Sequence, residues 1–340
     1  MPNPPQHPSD ITALPHPTVS PHPPSPPRLA YILVTDTYAT LRPVVARLLA
    51  QGDPGRIELI VVANRGGLDG IHGAELKVLG RVQGLECDSV VNMAAARAIG
   101  VRAATAPVVF LGETHSFPLA GWLDATLKAF DGSYSVIVPS VANGCDRGLI
   151  QWAGYALDYS RWHPAQPAGE LPMSPGHNIA YRTDLLLALG DQLDQALDHH
   201  QERLLDDLRP QHPRIWFEPS ARLEHVSIGF VLPGLEERIL LGVLTGGARA
   251  RRWSVPRRLL YFLASPLIAI VLFVRQIPGA RAILAERPTL FGMLPIMMLF
   301  CVLKAAGEAY GYLFGSPSCL LEREARLEIQ RLRFAHSLAR

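Results

Sequence analysis

The chain has 340 residues, 48% of them hydrophobic, and a formal net charge of +2. This is material for one sizeable core of about 200 residues and a smaller second part, and the near-neutral balance excludes a dedicated nucleic-acid binder. Cys87, Cys145, Cys301 and Cys319 are scattered with no CxxC pair, which excludes a zinc knuckle or a disulfide framework and fits a reducing compartment.

Residues 1–28 are crowded with proline, histidine and serine and read as a disordered tail. No basic-then-apolar leader begins them, so nothing there directs the chain across a membrane. From Leu29 the pattern is strand, helix, strand: Ala30 to Thr35 is apolar and extended, Leu41 to Leu49 has helical spacing, and Ile57 to Ala63 is a second buried strand. Strands this apolar belong to a parallel sheet covered on both faces. Thr35, Asp36 and Asn64 end these strands, where open α/β sheets bind ligands, and are candidates for reading a nucleoside.

The glycine-rich stretch 65–73 contains neither GxGxxG nor GxxxxGK[ST], and no GxSxG occurs, which removes a Rossmann dinucleotide site, a P-loop and the best-marked hydrolase motif. Leu76 to Val82 reads as a short third strand. Asn92 to Ala106 reads as a helix capped by Asn92, aiming Arg97 at the end of the sheet where a diphosphate wants a cation.

The stretch from Pro107 to Trp122 holds the chemistry. Val108 to Leu111 is a buried strand ended by Gly112, and the metal-ligand types Glu113 and His115 follow at once. A helix restarts at Trp122. The aromatics Trp152, Tyr155, Tyr159 and Trp162 offer either a sugar-stacking platform or, slightly better, a packed face. Pro175 to Asn178 is a tight polar turn that makes His177 and Asn178 binding candidates. Glu202, Asp206 and Asp207 lie in an acidic helix and offer a base for deprotonating an alcohol. Ile215 to Glu218 is a late strand, and His225 follows it.

Beyond Arg249 the character changes. Arg249, Arg251, Arg252, Arg257 and Arg258 precede apolar runs at about 259–274 and 290–303, the second with a tail that extends the segment to 290–313. Each run contains a proline and is short for a straight span, so a re-entrant pair is as good an expectation as two crossings. By the positive-inside tendency the arginines face the cytoplasm, which puts the cell membrane against this region and the main domain on the cytoplasmic side. Lys304 and Glu308 are spaced to pair, and Leu321, Ala325, Ile329 and Leu332 share a helix face fit for a membrane surface or a neighbouring element.

Taken in order, the N-terminal βαβ unit, AARAIG feeding VVFLGETHSFPLAGW, the LPMSPGHNIAYR turn and the acidic helix before LRPQHPRIWFEPSARLEH resemble a family 2 glycosyltransferase of the GT-A fold. The resemblance implies an α/β domain over 29–230, a mostly parallel, Rossmann-like sheet flanked by helices, followed by a helical membrane-associated region over 231–340. Glu113-Thr114-His115 corresponds to the family's acidic metal motif, with His in place of the second Asp. Arg97 and Gly100 match its Arg-x-x-Gly helix, and Asn64 stands where an Asp usually contacts the nucleobase. Matching backwards from Leu208-Arg209 makes Glu202 the catalytic base, with Asp206 and Asp207 as alternatives, and His225 matches a histidine that completes the metal site. The implied activity is inverting transfer of a sugar from a nucleotide sugar, assisted by Mn²⁺ or Mg²⁺, to a lipid-linked or envelope-polysaccharide hydroxyl. A catalytically inactive GT-A-fold membrane scaffold or partner-binding protein is the alternative.

Overall fold

Two strands lie at the heart of the parallel half of the sheet, β1 (Leu29–Thr35) and β2 (Ile57–Asn64), in which every residue from Leu29 to Ala63 within the strands is buried. Runs of Leu, Ile and Val at consecutive positions are stable as strands because helices cover both faces, which hides alternate side chains on either side. The computed structural model describes residues 26–145, 147–172, 176–198, 200 and 204–335. The proline-rich stretch up to residue 25 lies outside them.

Among the described residues the remaining strands are β3 (Arg81–Cys87), β4 (Val108–Leu111), β5 (Ser116–Pro118), β6 (Val136–Asn143), β7 (Gly169–Glu170), β8 (Ile179–Arg182) and β9 (Ile215–His225). They form one sheet in the order β3-β2-β1-β4-β8-β6-β9-β5, with β7 also pairing to β9. The first four are parallel, β8 runs antiparallel between β4 and β6, and β5 returns antiparallel against the end of β9. The sheet is therefore mixed, as the GT-A fold requires. The expected strand at Leu76 is instead a 3₁₀ turn over Ala74–Val78, and the third strand begins at Arg81. Gly80 is the reason: its amide donates to Ile57 O, so pairing with β2 starts only there.

α1 (Tyr38–Leu49), α2 (Met93–Ala103) and α3 (Trp122–Ala129) flank the parallel half. Asn92 caps α2 through its side chain, which accepts from Ala95 N at 3.1 Å. The loop from α2 to β4 is fixed by the fully buried Glu58 of β2, whose carboxylate accepts from Thr105 N at 2.8 Å, Ala106 N at 2.9 Å and Gln83 Nε2 at 2.8 Å. Trp152, Tyr155 and Tyr159 of α4 (Leu149–Tyr159), with Trp162 just beyond, are all buried, which makes them packing residues and not an open platform for a sugar.

Short helices α5 (Thr183–Leu187), α6 (Leu193–Ala196) and α7 (Leu204–Leu208) lead into β9. Five longer ones follow: α8 (Val231–Ala250), α9 (Val255–Leu263), α10 (Ser265–Glu286), α11 (Met293–Phe314) and α12 (Ser318–Ile329). α8 packs on α11 along glycines; a Cβ on Gly246 would lie 2.3 Å from Glu308 O, so the two backbones touch. Lys304 and Glu308 pair at 3.3 Å as their spacing predicts, and Arg249 reaches the same carboxylate at 2.7 Å.

Ser265–Glu286 and Pro288–Phe314 are long and apolar enough to cross a membrane, with mean hydropathy 1.8 and 1.9. A helix of 22 residues such as α10 is about 33 Å long, more than the apolar run alone suggested. Pro266 does not interrupt it, because it sits in the first turn, where no intrahelical partner awaits its nitrogen. Of the five arginines expected at the membrane face, Arg249 is taken by Glu308, and Arg258 caps the end of α11 through Tyr312 O and Leu313 O. Arg251, Arg252 and Arg257 remain exposed.

Candidate active site

Gly112 ends β4 where the ring of Tyr31 comes up beneath it; a Cβ there would stand 2.3 Å from Tyr31 Cε1. Only glycine permits that approach, and the next residue, Glu113, is turned in towards the carboxyl ends of β1 and β4. The pairing of β5 with β9 sets Ser116 opposite His225, which brings His225 beside His115 from a point far along the chain. The two imidazole rings meet edge to face with centroids 4.8 Å apart, and the ring of Tyr159 lies 4.4 Å from that of His225.

Glu113 is the hub. Its Oε2 accepts from Asn178 Nδ2 at 2.6 Å, Ser116 Oγ at 2.9 Å and Tyr159 Oη at 3.4 Å. Its Oε1 accepts no hydrogen bond and lies 3.3 Å from Nε2 of His177. Asn178 presents its amide from a left-handed backbone conformation (φ 58°), which Asn tolerates better than most residues. Burial, reinforced by the charge of Glu328, raises the pKa of Glu113, with His115 partly opposing this. Burial likewise lowers His115 to about 4 and His225 well below the ordinary range, so both imidazoles are neutral at pH 7 with lone pairs to offer.

Glu113, His115 and His225 each offer one ligand atom, and these lie within 4.8 Å of one another. The set fits a divalent cation on its own chemistry. The Nε2 atoms of His115 and His225 approach Glu113 Oε2 at 3.4 and 3.6 Å, and His115 Nε2 is buried without a hydrogen-bond partner, so it keeps a donor atom free for a metal. Arg97, 3% exposed and with Nε unpartnered, lines the same cleft as Glu113 and Thr114.

The fold thus gathers Arg97, Glu113, His115, His177, Asn178 and His225 in one place. Other candidates have other employment. Thr35 is buried and donates to Thr37 O at 2.8 Å, closing the end of β1. Asn64 accepts from Val90 N at 2.9 Å and so hooks the loop before α2 to the strand end. Asp36 lies at the cleft, and although partial burial alone would raise its pKa, hydrogen bonds from Gln330, Thr40, Thr37 and Thr35 outweigh it and hold the carboxyl below its usual range. Asp206 is exposed and paired with Arg209 at 2.7 Å, and Asp207 is half-buried in the same helix. Glu202 lies outside the described residues.

The far wall of the cleft comes from the C-terminal segment. Thr114 Oγ1 donates to Ile329 O at 2.8 Å, Glu328 Oε1 stands 3.8 Å from His115 Nε2, and Gln330 Nε2 donates to Asp36 Oδ2 at 2.6 Å. Arg331 pairs with Glu237 and Glu328, and Glu237 is held beside Arg238, which forks onto Asp158 with two bonds of 2.7 Å. α12 therefore packs on α8 of this chain, and the end of its face, at Glu328 and Ile329, reaches the sheet domain, a choice between membrane surface and neighbouring element that its spacing left open. Ser116 was not legible as a site residue, since neither charge nor motif marks it, and Tyr159, a candidate only for ring stacking, enters the site through its hydroxyl instead.

Residues 31–190 match the family model described as Glycosyl transferase family 2. No curated protein matches the sequence. Among solved structures, a mannosyltransferase from Pyrobaculum calidifontis, PcManGT, in complex with GDP-Man and Mn²⁺, is 16% identical and superposes over 87% of this chain and 90% of its own with a TM-score of 0.50. GalNAc-T7 with UDP, GalNAc and Mn²⁺ is 14% identical over 61% of this chain, with a TM-score of 0.42, and this chain spans 44% of its length. Residues 1–349 of TarS from S. aureus are 14% identical, with coverage of 66% and 69% and a TM-score of 0.39. The chain thus has the GT-A fold, with residues 31–190 similar to family 2 glycosyltransferases, and continues in a helical C-terminal region with two helices apolar enough to cross a membrane.

Proposed function

We propose that the chain transfers a sugar from a nucleotide sugar to an acceptor hydroxyl with inversion at the anomeric carbon, working at a membrane and with a divalent metal. The observation that carries this reading is the buried set Glu113, His115 and His225 at the carboxyl end of β4, two of whose members lie in the stretch that matches the family 2 model. A divalent ion bound there supplies positive charge beside a departing diphosphate. Two imidazoles with one carboxylate suit Mn²⁺ better than Mg²⁺, which prefers an all-oxygen shell.

The protein's own groups do the rest. Arg97 adds a fixed charge on the same cleft. Asn178, Ser116 and Tyr159 hold Oε2 of Glu113 beside the two imidazoles, while Oε1 lies against His177. In a single displacement the acceptor oxygen attacks the anomeric carbon as the bond to the diphosphate breaks, and the hydroxyl proton passes to a carboxylate. Glu202 is the residue assigned that role; Asp206 and Asp207 are the alternatives, Asp206 the weaker because Arg209 already neutralises it. α10 and α11 would hold the domain at the cell membrane, with exposed Arg251, Arg252 and Arg257 on the cytoplasmic side, a setting that suits a lipid-linked or envelope-polysaccharide acceptor.

The test is thermal unfolding of the detergent-solubilised full chain with millimolar UDP, GDP, CDP or ADP, with and without Mn²⁺. One nucleotide should stabilise the protein only when the metal is present, since a ligand at a hundred times its Kd adds about 2.7 kcal/mol. A metal-independent response would remove the metal from the reading.

A further inference from the structure

The cleft just described is nearly full. What remains open between Arg97, Glu113 and Thr114 on one side and Glu328 and Ile329 on the other is a cavity of about 10 Å³, room for about one water molecule. A ligand the size of a nucleotide sugar needs several hundred Å³. The groups that fill the space are those a nucleotide would bring: a carboxylate of Glu328 beside His115, a carbonyl of Ile329 accepting from Thr114, and an amide of Gln330 donating to Asp36.

The segment that carries them is joined to the molecule in a way that permits release. It begins after Gly315 (φ 76°) and Pro317, which break the chain direction at the end of α11. At its far end Phe334 O accepts from Gly229 N at 2.8 Å and Phe230 N at 3.2 Å. Between these points it is held by ion pairs of Arg331 with Glu237 and of Arg323 with Glu236, by Leu327 in a small cluster with Ile228 and Leu240, and by Ile329, Leu332 and Ala335 at the margin of the main core. Undocking the segment breaks these contacts but no strand pairing, since none of its residues belongs to the sheet.

We propose that residues 318–335 form an autoinhibitory strap that occupies the nucleotide site and leaves it when a nucleoside diphosphate sugar binds. This rests on the nucleotide-sugar reading of the cleft. Strap and donor compete for Asp36, Thr114 and the surroundings of His115, so the apparent affinity of the full chain for nucleotide is reduced by the fraction of time the strap is docked.

The experiment uses the full-length protein in detergent with UDP and GDP in the presence of Mn²⁺. Leu327→Ala loosens the strap at a point away from the cleft, and Gln330→Ala removes its hold on Asp36. Each should bind the preferred nucleotide about 10-fold tighter than the parent, whereas a merely structural loss would weaken binding. In the parent chain, nucleotide should speed amide hydrogen exchange in 318–335 while slowing it around residues 93–115. Equal or weaker affinity in both folded variants, or slower exchange in 318–335 on adding nucleotide, overturns the strap and leaves the nucleotide site standing. If parent and both variants are folded and none binds any nucleoside diphosphate, the nucleotide-sugar reading falls and the strap with it.

Discussion

Asn178 Nδ2 lies 2.6 Å from Glu113 Oε2, and it reaches there from a left-handed backbone that few residues adopt. The contact fixes which oxygen of Glu113 is occupied and which is free. Replacing Asn178 with Ala removes the shortest of three hydrogen bonds to a buried carboxylate and strains the turn, for a cost on the order of 2 kcal/mol. We expect a lower unfolding midpoint and weaker Mn²⁺ binding; Asn178→Gly, which relieves the backbone but not the carboxylate, should restore stability more than metal affinity. Equal Mn²⁺ titrations for all three proteins would separate Asn178 from the site.

The proposed metal set predicts unequal consequences for its members. Glu113→Gln keeps the shape but removes the negative charge, and His225→Ala removes a neutral donor. Both should abolish Mn²⁺-dependent nucleotide stabilisation. Without metal, His225→Ala should be the less stable of the two, because it leaves a cavity against Tyr159 and His115. Mn²⁺-dependent stabilisation that survives in either variant would take that residue out of the set.

Acid should weaken the metal-free protein well before ordinary carboxylates protonate. Burial holds His115 at about 4 and His225 well below its usual value, whereas both titrate near 6.5 when unfolded. Between about pH 6.5 and 4 the unfolded chain binds protons that the folded chain refuses, so stability falls as pH falls, by up to about 1.4 kcal/mol per unit for each imidazole. Glu113, raised by burial, works in the opposite sense above its ordinary value, but it takes up one proton against two. Urea midpoints at pH 7 and pH 5 in the presence of chelator should therefore differ, with pH 5 lower; an equal or higher midpoint at pH 5 would mean the imidazoles are not buried in neutral form.

Glu58 has no part in the chemistry, yet its loss should be severe. Its carboxylate satisfies Thr105 N, Ala106 N and Gln83 Nε2 at once and is fully buried. Glu58→Ala leaves those donors unpaired inside the sheet domain, for a loss on the order of 3 kcal/mol. Glu58→Gln should lose less, since the amide oxygen still accepts. A change of unfolding temperature within error of the parent for Glu58→Ala would show that water replaces these bonds without cost.

The sheet was readable because its strands are written in consecutive Leu, Ile and Val, bounded by Asp36, Asn64 and Gly112. The chemistry of Glu113 and His115 is local and stands out in the sequence; His225 reads as a residue beyond a strand ending at Glu218, whereas β9 continues through Pro219 to His225 and carries it into the sheet opposite Ser116. Asn178 and His177 were marked by their turn. Three things were not legible, each for its own physical reason. Asn64 reads as a base-reading residue, and the sequence does not show that its Oδ1 also accepts from Val90 N, a bond that ties the end of β2 to the loop before α2. Tyr159 shows helical spacing like any core aromatic, and only the approach of Asn178 makes its hydroxyl part of the cluster. Gln330 and Glu328 contact groups more than 200 positions earlier in the chain, and no local pattern encodes such a distance.

That last separation also fixes an order of events in biosynthesis. The hydrogen bond from Gln330 to Asp36 spans 294 positions, and the donor lies beyond both apolar helices. The sheet domain can fold on the ribosome as it emerges, but its cleft stays uncovered until α10 and α11 have been made and have found their place. The strap thus becomes available to dock only once the helical pair is complete.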